Sequence, residues 1–403
     1  MPPARCPIIR LRRSPKGYRL RMGGRADLSS GPLVARLSGK GFSAILVRGA
    51  RRLSASDAPP DRSGPWLGVP ASGKAWLFAS GLLISLVLSG CGTLTQSTVN
   101  PVGDHALQIN DLFMPILWIA TAVFVLVEGV LLFSLIRFRR RREDEPPPLQ
   151  VHGNQRLEMA WTIAPAIIVV TLAVLTIRTI MAQAADPGPE ALHIRVVGHQ
   201  WWWEFEYTDP NLGFVTANEL YVPVGRKLAF EVESVDVIHS FWFPRIAGKI
   251  DAVPGRVNTI SFSVPQKGSY QGQCAEFCGY AHAMMKMVLF AVSPEEFDRW
   301  ASRQAAGAPP EAQSEPGAQV FISGGCIACH TIRGTAAQGK IGPNLTGLGS
   351  RTTIGAGWMP NTPENLASWI RDPAAVKPGA KMPALGLSEG DIQKVVAYLE
   401  SLK

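Results

Sequence analysis

An excess of positive charge is absent from most of this chain, although the formal net charge is +9. Residues 1–73 hold 14 Lys+Arg against 3 Asp+Glu, a net of +11, and the remaining 330 residues carry −2. A basic surface for nucleic acid therefore has no support beyond the leader, and no nucleic-acid partner is expected. Cysteine is scarce as well. Six occur in 403 residues, as Cys274 with Cys278, Cys326 with Cys329, and the singles Cys6 and Cys91. Two close pairs beside histidines read as cofactor attachment rather than a disulfide framework. The first 70 or so residues also lack apolar periodicity and are rich in Arg, Gly, Pro and Ser, which argues for disorder or an over-extended start. Cys6 lies there and is given no role.

What the chain does have is concentrated in Cys274-Ala-Glu-Phe-Cys278-Gly-Tyr-Ala-His282-Ala-Met-Met285, with His239 upstream in Val-Ile-His-Ser-Phe-Trp-Phe-Pro. Thiolate and imidazole suit copper or zinc, whereas a thioether selects for soft copper. A blue-copper ion needs only one Cys, two His and a weak Met, so two Cys point to two coppers sharing the thiolates. The plainer alternative is a structural zinc held by two Cys and two His, which leaves Met285 unexplained. Met284 and Met287 are expected to pack rather than ligate.

The order C-x-E-x-C, followed by G-x-x-H-x-x-M at Gly279, His282 and Met285, resembles the dinuclear copper loop of cytochrome c oxidase subunit II. The resemblance implies that Cys274 and Cys278 bridge two coppers, that His239 and His282 cap one each, and that Met285 and the Glu276 carbonyl are weak axial ligands. It also implies a shared magnesium at the junction with subunit I, with the Glu276 carboxylate among its ligands; an exposed carboxylate without a metal is the alternative.

Two apolar runs, Leu112 to Ile136 and Trp161 to Met181, are each long enough to cross a hydrocarbon core needing about 20 helical residues. Between them lies Arg137-Phe-Arg139-Arg-Arg-Arg142, which belongs on the cytoplasmic side, so both outer ends face the periplasm. Upstream, Lys74 precedes an apolar stretch ending in Leu88-Ser-Gly-Cys91, a secretory pattern that resembles a bacterial lipoprotein signal with Cys91 lipidated. An uncleaved third membrane segment is the alternative. Glu128 lies inside the first run, where a charge is costly and usually faces a partner, although an inert snorkelling side chain is equally compatible. Glu158 precedes Trp161-Thr-Ile-Ala-Pro165, and by resemblance it matches the glutamate at the mouth of a proton path into subunit I. Taken alone it reads as a solvated helix-end carboxylate.

From Ala191 to Val292, β-rich segments alternate with turns such as Pro223-Val-Gly225 and Pro254-Gly255, which predicts a β-sandwich or barrel. The resemblance makes this a cupredoxin-like Greek-key sandwich. In Gly198-His-Gln-Trp201-Trp-Trp-Glu-Phe-Glu-Tyr207, strand periodicity puts Trp201, Trp203, Phe205 and Tyr207 on one face. The box also resembles the family's G-H-Q-W-x-W, whose first tryptophan lies between copper and electron donor, making Trp201 the candidate electron-receiving residue. His105, His152, His193 and His199 are left unassigned.

Gln304 to Pro316 is rich in Pro, Ala, Gln and Glu and reads as a linker; as a flexible coil it spans about 20 Å. Beyond it, Cys326-Ile-Ala-Cys329-His330 is the C-x-x-C-H signature of covalent c-type heme, with His330 an axial ligand. Gly342-Pro-Asn-Leu345 and Lys377-Pro-Gly-Ala-Lys-Met382-Pro383 resemble later segments of small cytochromes c, so Met382 is the expected sixth ligand and Met359 the runner-up. Ser388 and Asp391 suit the start of a helix whose apolar positions are Ile392, Val395, Val396, Leu399 and Leu402, and Thr362 before Pro363 starts another.

The expected architecture is therefore multidomain: a leader and lipoprotein signal (1–90), an N-terminal segment with a two-helix transmembrane hairpin (91–185), a cupredoxin-like β-sandwich (186–303), a linker (304–316) and an all-α cytochrome c domain (317–403). The resemblance implies a subunit of a proton-pumping cytochrome c oxidase in a bacterial inner membrane, with its copper and heme domains outside. It would pass electrons from its own heme through copper to the oxygen-reducing subunit I. Its partners would be subunit I, other oxidase subunits, membrane lipid and an upstream donor such as a cytochrome c or a cytochrome bc complex. Two alternatives stay open: a membrane-tethered heme and metal electron carrier, and a nitrogen-oxide reductase component. The second needs a large catalytic domain that this sequence lacks.

Overall fold

A computed structural model of the chain describes residues 95–139, 149–150 and 152–403. The expectations for the leader, for Cys91 and for Arg140 to Arg142 lie outside the described residues. Two long helices come first, α1 (Asp104–Arg137) and α2 (Gln155–Gln183), with mean hydropathies of 2.5 and 2.3 over their most apolar windows. Both are long and apolar enough to cross a membrane. At 34 residues α1 measures about 50 Å, against about 30 Å of hydrocarbon. Its first turn serves another purpose and docks on the β-domain. There the Asp104 carboxylate accepts from the Ser263 amide at 2.7 Å and from Lys227 Nζ at 2.9 Å. The Val102 and Ala106 amides donate to the carbonyls of Arg245 and Ile246. Helix α2 starts at Asn154, whose side chain accepts from the Arg156 and Leu157 amides.

The β-domain is built of two five-stranded sheets. One has the order β3 (Phe214–Ala217), β2 (Trp202–Tyr207), β1 (Leu192–His199), β5 (Lys227–Ser234), β8 (Asn258–Ser263). The other runs β4 (Glu219–Pro223), β10 (Lys286–Val292), β9 (Gly268–Cys274), β6 (His239–Trp242), β7 (Ile250–Ala252). Pairing is antiparallel except for β1 with β5 and β10 with β4. Inward positions alternate along the strands and merge into one apolar core drawn from both sheets, with Ile194, Trp203, Phe205, Tyr207, Phe230, Phe241 and Met287 inside it. Trp201 departs from the expected alternation. The register pairs His199 with Trp202, so Gln200 and Trp201 form the turn between β1 and β2, and Trp201 packs half-buried at the margin of the core. Helix α3 (Pro294–Ala306) carries a capping box at Ser293 and Glu296 and buries Phe297 and Trp300 against the sandwich.

The stretch expected to be a flexible coil is packed. It holds the end of α3, a helical turn α4 (Pro310–Gln313) and buried Ala308 and Ala312. The Ala308 amide donates to the Arg333 carbonyl at 2.8 Å, which ties this stretch to the tail. The tail itself has helices α5 (Pro316–Ser323), α6 (Pro363–Arg371), α7 (Pro373–Val376) and α8 (Glu389–Ser401), plus two short paired strands, β11 (Thr353–Ile354) and β12 (Met359–Pro360). Caps at Thr362 and Ser388 form as the sequence predicts, and Ile392, Val395, Val396, Leu399 and Leu402 are buried.

Candidate metal centre and heme pocket

Strand β6 opens with His239, which is fully buried, and β9 ends with Cys274; pairing of Phe241 with Cys274 brings the two strands side by side. The loop from Ala275 to Met285 then folds back, tied by the Cys274 amide donating to the Met285 carbonyl at 3.0 Å. The result draws all the expected donors together. Cys274 Sγ lies 3.8 Å from Cys278 Sγ, 3.9 Å from His239 Nδ1 and 3.2 Å from the Glu276 carbonyl oxygen. Cys278 Sγ lies 3.5 Å from His282 Nδ1 and 3.9 Å from Met285 Sδ. A sulfur separation of 3.8 Å is far beyond the roughly 2.05 Å of a disulfide, and the space between the sulfurs is ringed by nitrogen and thioether donors. Two thiolates, two imidazoles and a thioether fit soft copper better than zinc.

Asp236 fixes the orientation of His239, its Oδ1 lying 2.8 Å from Nε2, so the outer nitrogen holds the proton and Nδ1 faces the sulfurs. Burial opposes protonation of His239, but the neighbouring Cys274 sulfur and the Asp236 carboxylate outweigh it and raise its pKa. The hydrogen bond from the Cys278 thiol, and then His239, hold Cys274 well below the usual thiol range. The same bond to Cys274, together with burial, pushes Cys278 up. One thiolate stands ready and the other proton leaves when a cation arrives. Close packing needs a glycine at position 198, where a Cβ would fall 2.8 Å from the His239 ring. Neither Asp236 nor Gly198 carried a ligand signal in the sequence.

Outside this cluster, the Glu276 carboxylate is half exposed, 3.8 Å from Lys249 Nζ. Glu158 is exposed in the first turn of α2, where its Oε1 accepts from the Asn154 amide at 3.2 Å. Glu128 is half-buried on α1. His105 accepts from the Gly248 amide at the docked turn, and His199 stacks on Trp202 at 4.0 Å. His152 and His193 are exposed.

Between the tail and the sandwich lies a partly open cavity of about 250 Å³ whose wall includes Cys326, Cys329, His330 and Met382. Met359 lies off that wall, on β12 against the apolar core of the tail. His330 Nδ1 is 2.8 Å from the Pro343 carbonyl, which only accepts, so Nδ1 carries the proton and Nε2 is the free ligand nitrogen. Burial lowers the pKa of His330 and keeps the ring neutral, as an iron ligand needs. At Gly342 a Cβ would sit 2.7 Å from that ring. An apolar cavity with two thiols and a neutral imidazole at its edge fits a porphyrin.

Trp201 joins the two sites. Its Nε1 donates to the Cys278 carbonyl at 3.1 Å, Gln200 Nε2 donates to the same carbonyl at 2.8 Å, and its ring forms part of the cavity wall. The tail is held against the sandwich by buried polar contacts. Oε1 of Glu219 accepts from the amides and hydroxyls of Thr352 and Thr353, at 2.7 to 2.9 Å, and Lys377 Nζ donates to the Trp201 carbonyl at 2.8 Å. Of the seam residues, Glu219 and Arg351 belong to no sequence motif, and Lys377, which opens the segment leading to Met382, carried no signal of this role.

Comparison with known proteins agrees with this geometry. Residues 96–179 match the family described as cytochrome C oxidase subunit II, transmembrane domain. Residues 211–292 match its periplasmic domain, and residues 314–403 match cytochrome c. The chain is 40% identical over 343 residues to cytochrome c oxidase subunit 2 of Alkalihalophilus pseudofirmus, covering 82% of this chain and 99% of that one. It is 33% identical over 345 residues to the Bacillus subtilis protein of the same name, covering 80% and 96%.

Proposed function

This chain belongs to the cytochrome c oxidase subunit II family and serves electron transfer in that oxidase, and we propose that it takes electrons at its own covalent c-type heme and passes them through a dinuclear copper centre to subunit I, where oxygen is reduced and protons are pumped. The observation that carries this reading is the convergence of Cys274, Cys278, His239, His282 and Met285 beside Trp201, whose ring also walls the heme cavity. Bound copper supplies a one-electron couple. The chain's part is to hold the six donors in one arrangement, exclude water, and present Cys278 through Trp201 to the heme side. When heme is bound, Cys326 and Cys329 would form the thioether links and His330 and Met382 would ligate its iron.

Other assignments follow from the family and from position. Glu276 contributes its carbonyl to copper and its carboxylate to a magnesium shared with subunit I. Glu158 stands at the mouth of a proton path, and Cys91 carries lipid. The Arg-rich stretch of sequence between α1 and α2 faces the cytoplasm of a bacterial cell, which leaves the sandwich and tail on the outer face of the inner membrane. A cytochrome c or a cytochrome bc complex delivers electrons to the tail, and the remaining oxidase subunits and lipid surround the hairpin.

Metal analysis of the purified subunit is expected to return two coppers and one iron per chain, with a mixed-valence copper signal in electron paramagnetic resonance. A single zinc in place of copper overturns the reading.

A further inference from the structure

Among the described residues, Lys377 is a buried ammonium without a carboxylate partner. Its side chain is sealed, the residue being 3% exposed, and Nζ donates to the carbonyls of Trp201 at 2.8 Å and Gly355 at 3.0 Å. No carboxylate among the described residues lies within ion-pair distance of it, whereas nearby Lys381 has Asp236 at 3.7 Å. An unpaired buried charge is expensive, and an anion arriving later would offset that cost. Burial draws its pKa down to about 7, the response expected of a lysine whose hydrogen-bond partners are neutral.

The position of Lys377 says which anion. It lines the same cavity as Cys326, Cys329 and His330, on the wall shared with Trp201. A heme is apolar apart from two propionate carboxylates, and this cavity is apolar apart from a few polar groups, among them the cations Lys377 and Arg351. Arg351 is already engaged: it donates to the carbonyls of Asn344 and Thr346 and is drawn toward Glu219. Lys377 has only the two neutral carbonyls.

We propose that Lys377 anchors one heme propionate at the seam between the tail and the β-sandwich, and thereby helps set the potential of the heme. The proposal rests on the heme reading of Cys326, Cys329 and His330. A cation there favours the ferrous form, because reduction adds negative charge beside it, and the same ammonium ties the propionate to the Trp201 carbonyl on the copper side.

The test is potentiometric titration of the heme in the full-length, heme-loaded chain, comparing wild type with Lys377→Gln and Lys377→Arg. The glutamine variant is expected to shift the ferric to ferrous ratio toward ferric by about tenfold, equivalent to a potential about 59 mV lower for one electron. The arginine variant is expected to recover most of that shift. With propionate-labelled heme, redox difference infrared spectra should show one carboxylate band displaced in Lys377→Gln and restored in Lys377→Arg. An attached heme whose potential and carboxylate bands stay at wild-type values in Lys377→Gln, even with a lower melting temperature, overturns the anchor role. So does an arginine variant that behaves like glutamine. A wild-type chain without covalent heme on a denaturing gel sinks the heme reading itself, which separates the two failures.

Discussion

The sulfur, nitrogen and carbonyl donors of the sandwich already stand 3.2 to 3.9 Å apart, whereas the tail borders a partly open cavity of about 250 Å³. The first site is a set of ligands held by strand pairing and a well-filled apolar core, so metal completes it without building it. The second is a shell that its ligand must fill. Until a ligand fills it, the apolar lining of a cavity of that size lacks packing partners on one side. The two regions therefore depend on their cofactors to different degrees.

The largest effect should come from removing the heme links. Cys326→Ser combined with Cys329→Ser is expected to destabilise the tail strongly, read as rapid proteolysis of residues 317–403, because the apolar cavity then loses the covalently held group that fills it. The sandwich should keep its copper and a cooperative transition. If the tail stays protected while the sandwich melts, the contrast is inverted.

Next comes the seam. Glu219→Ala strands the four donors of Thr352 and Thr353 and should cost about 3 kcal/mol of docking. Faster hydrogen exchange at those two amides and slower heme-to-copper transfer would register it. Unchanged exchange would mean that the apolar surface alone holds the tail.

Asp236→Asn should weaken copper by about ten- to a hundred-fold in competitive chelation, because the His239 ring loses its orienting carboxylate. Since the raised pKa values of His239 and Cys278 mean protons must leave, copper uptake in the wild type should weaken as pH falls. Affinity that does not change with pH would count against the displaced protons. The smallest effect is Ser388→Ala, which removes the cap of α8 and should cost about 1 kcal/mol, seen as a lower melting temperature with both metals retained.

Features confined to one short stretch of chain were legible in the order of residues alone. Cys326, Cys329 and His330 are neighbours, as are Cys274, Cys278, His282 and Met285, and their chemistry follows from residue type and spacing. The membrane hairpin needs only apolar length, and the caps at Thr362 and Ser388 need only local hydrogen bonds. Resemblance then singled out His239, for which spacing alone offered no partner.

Tertiary structure decided the rest, because the groups concerned meet only when distant strands pair. His239 reaches Cys274 through the β6–β9 ladder, and Asp236 and Gly198 matter only because that ladder buries the ring between them. Strand periodicity put Trp201 on the core side but could not show that it sits in a two-residue turn, half-buried against the core and also lining the cavity beside the tail. Composition suggested a loose linker, but small alanines suit close packing as well as they suit disorder. Composition and spacing determine which atoms the chain can offer a metal or a porphyrin; which of them face each other, across 35 residues for His239 and Cys274 and 176 for Lys377 and Trp201, is settled by the pairing and burial of the folded sheets.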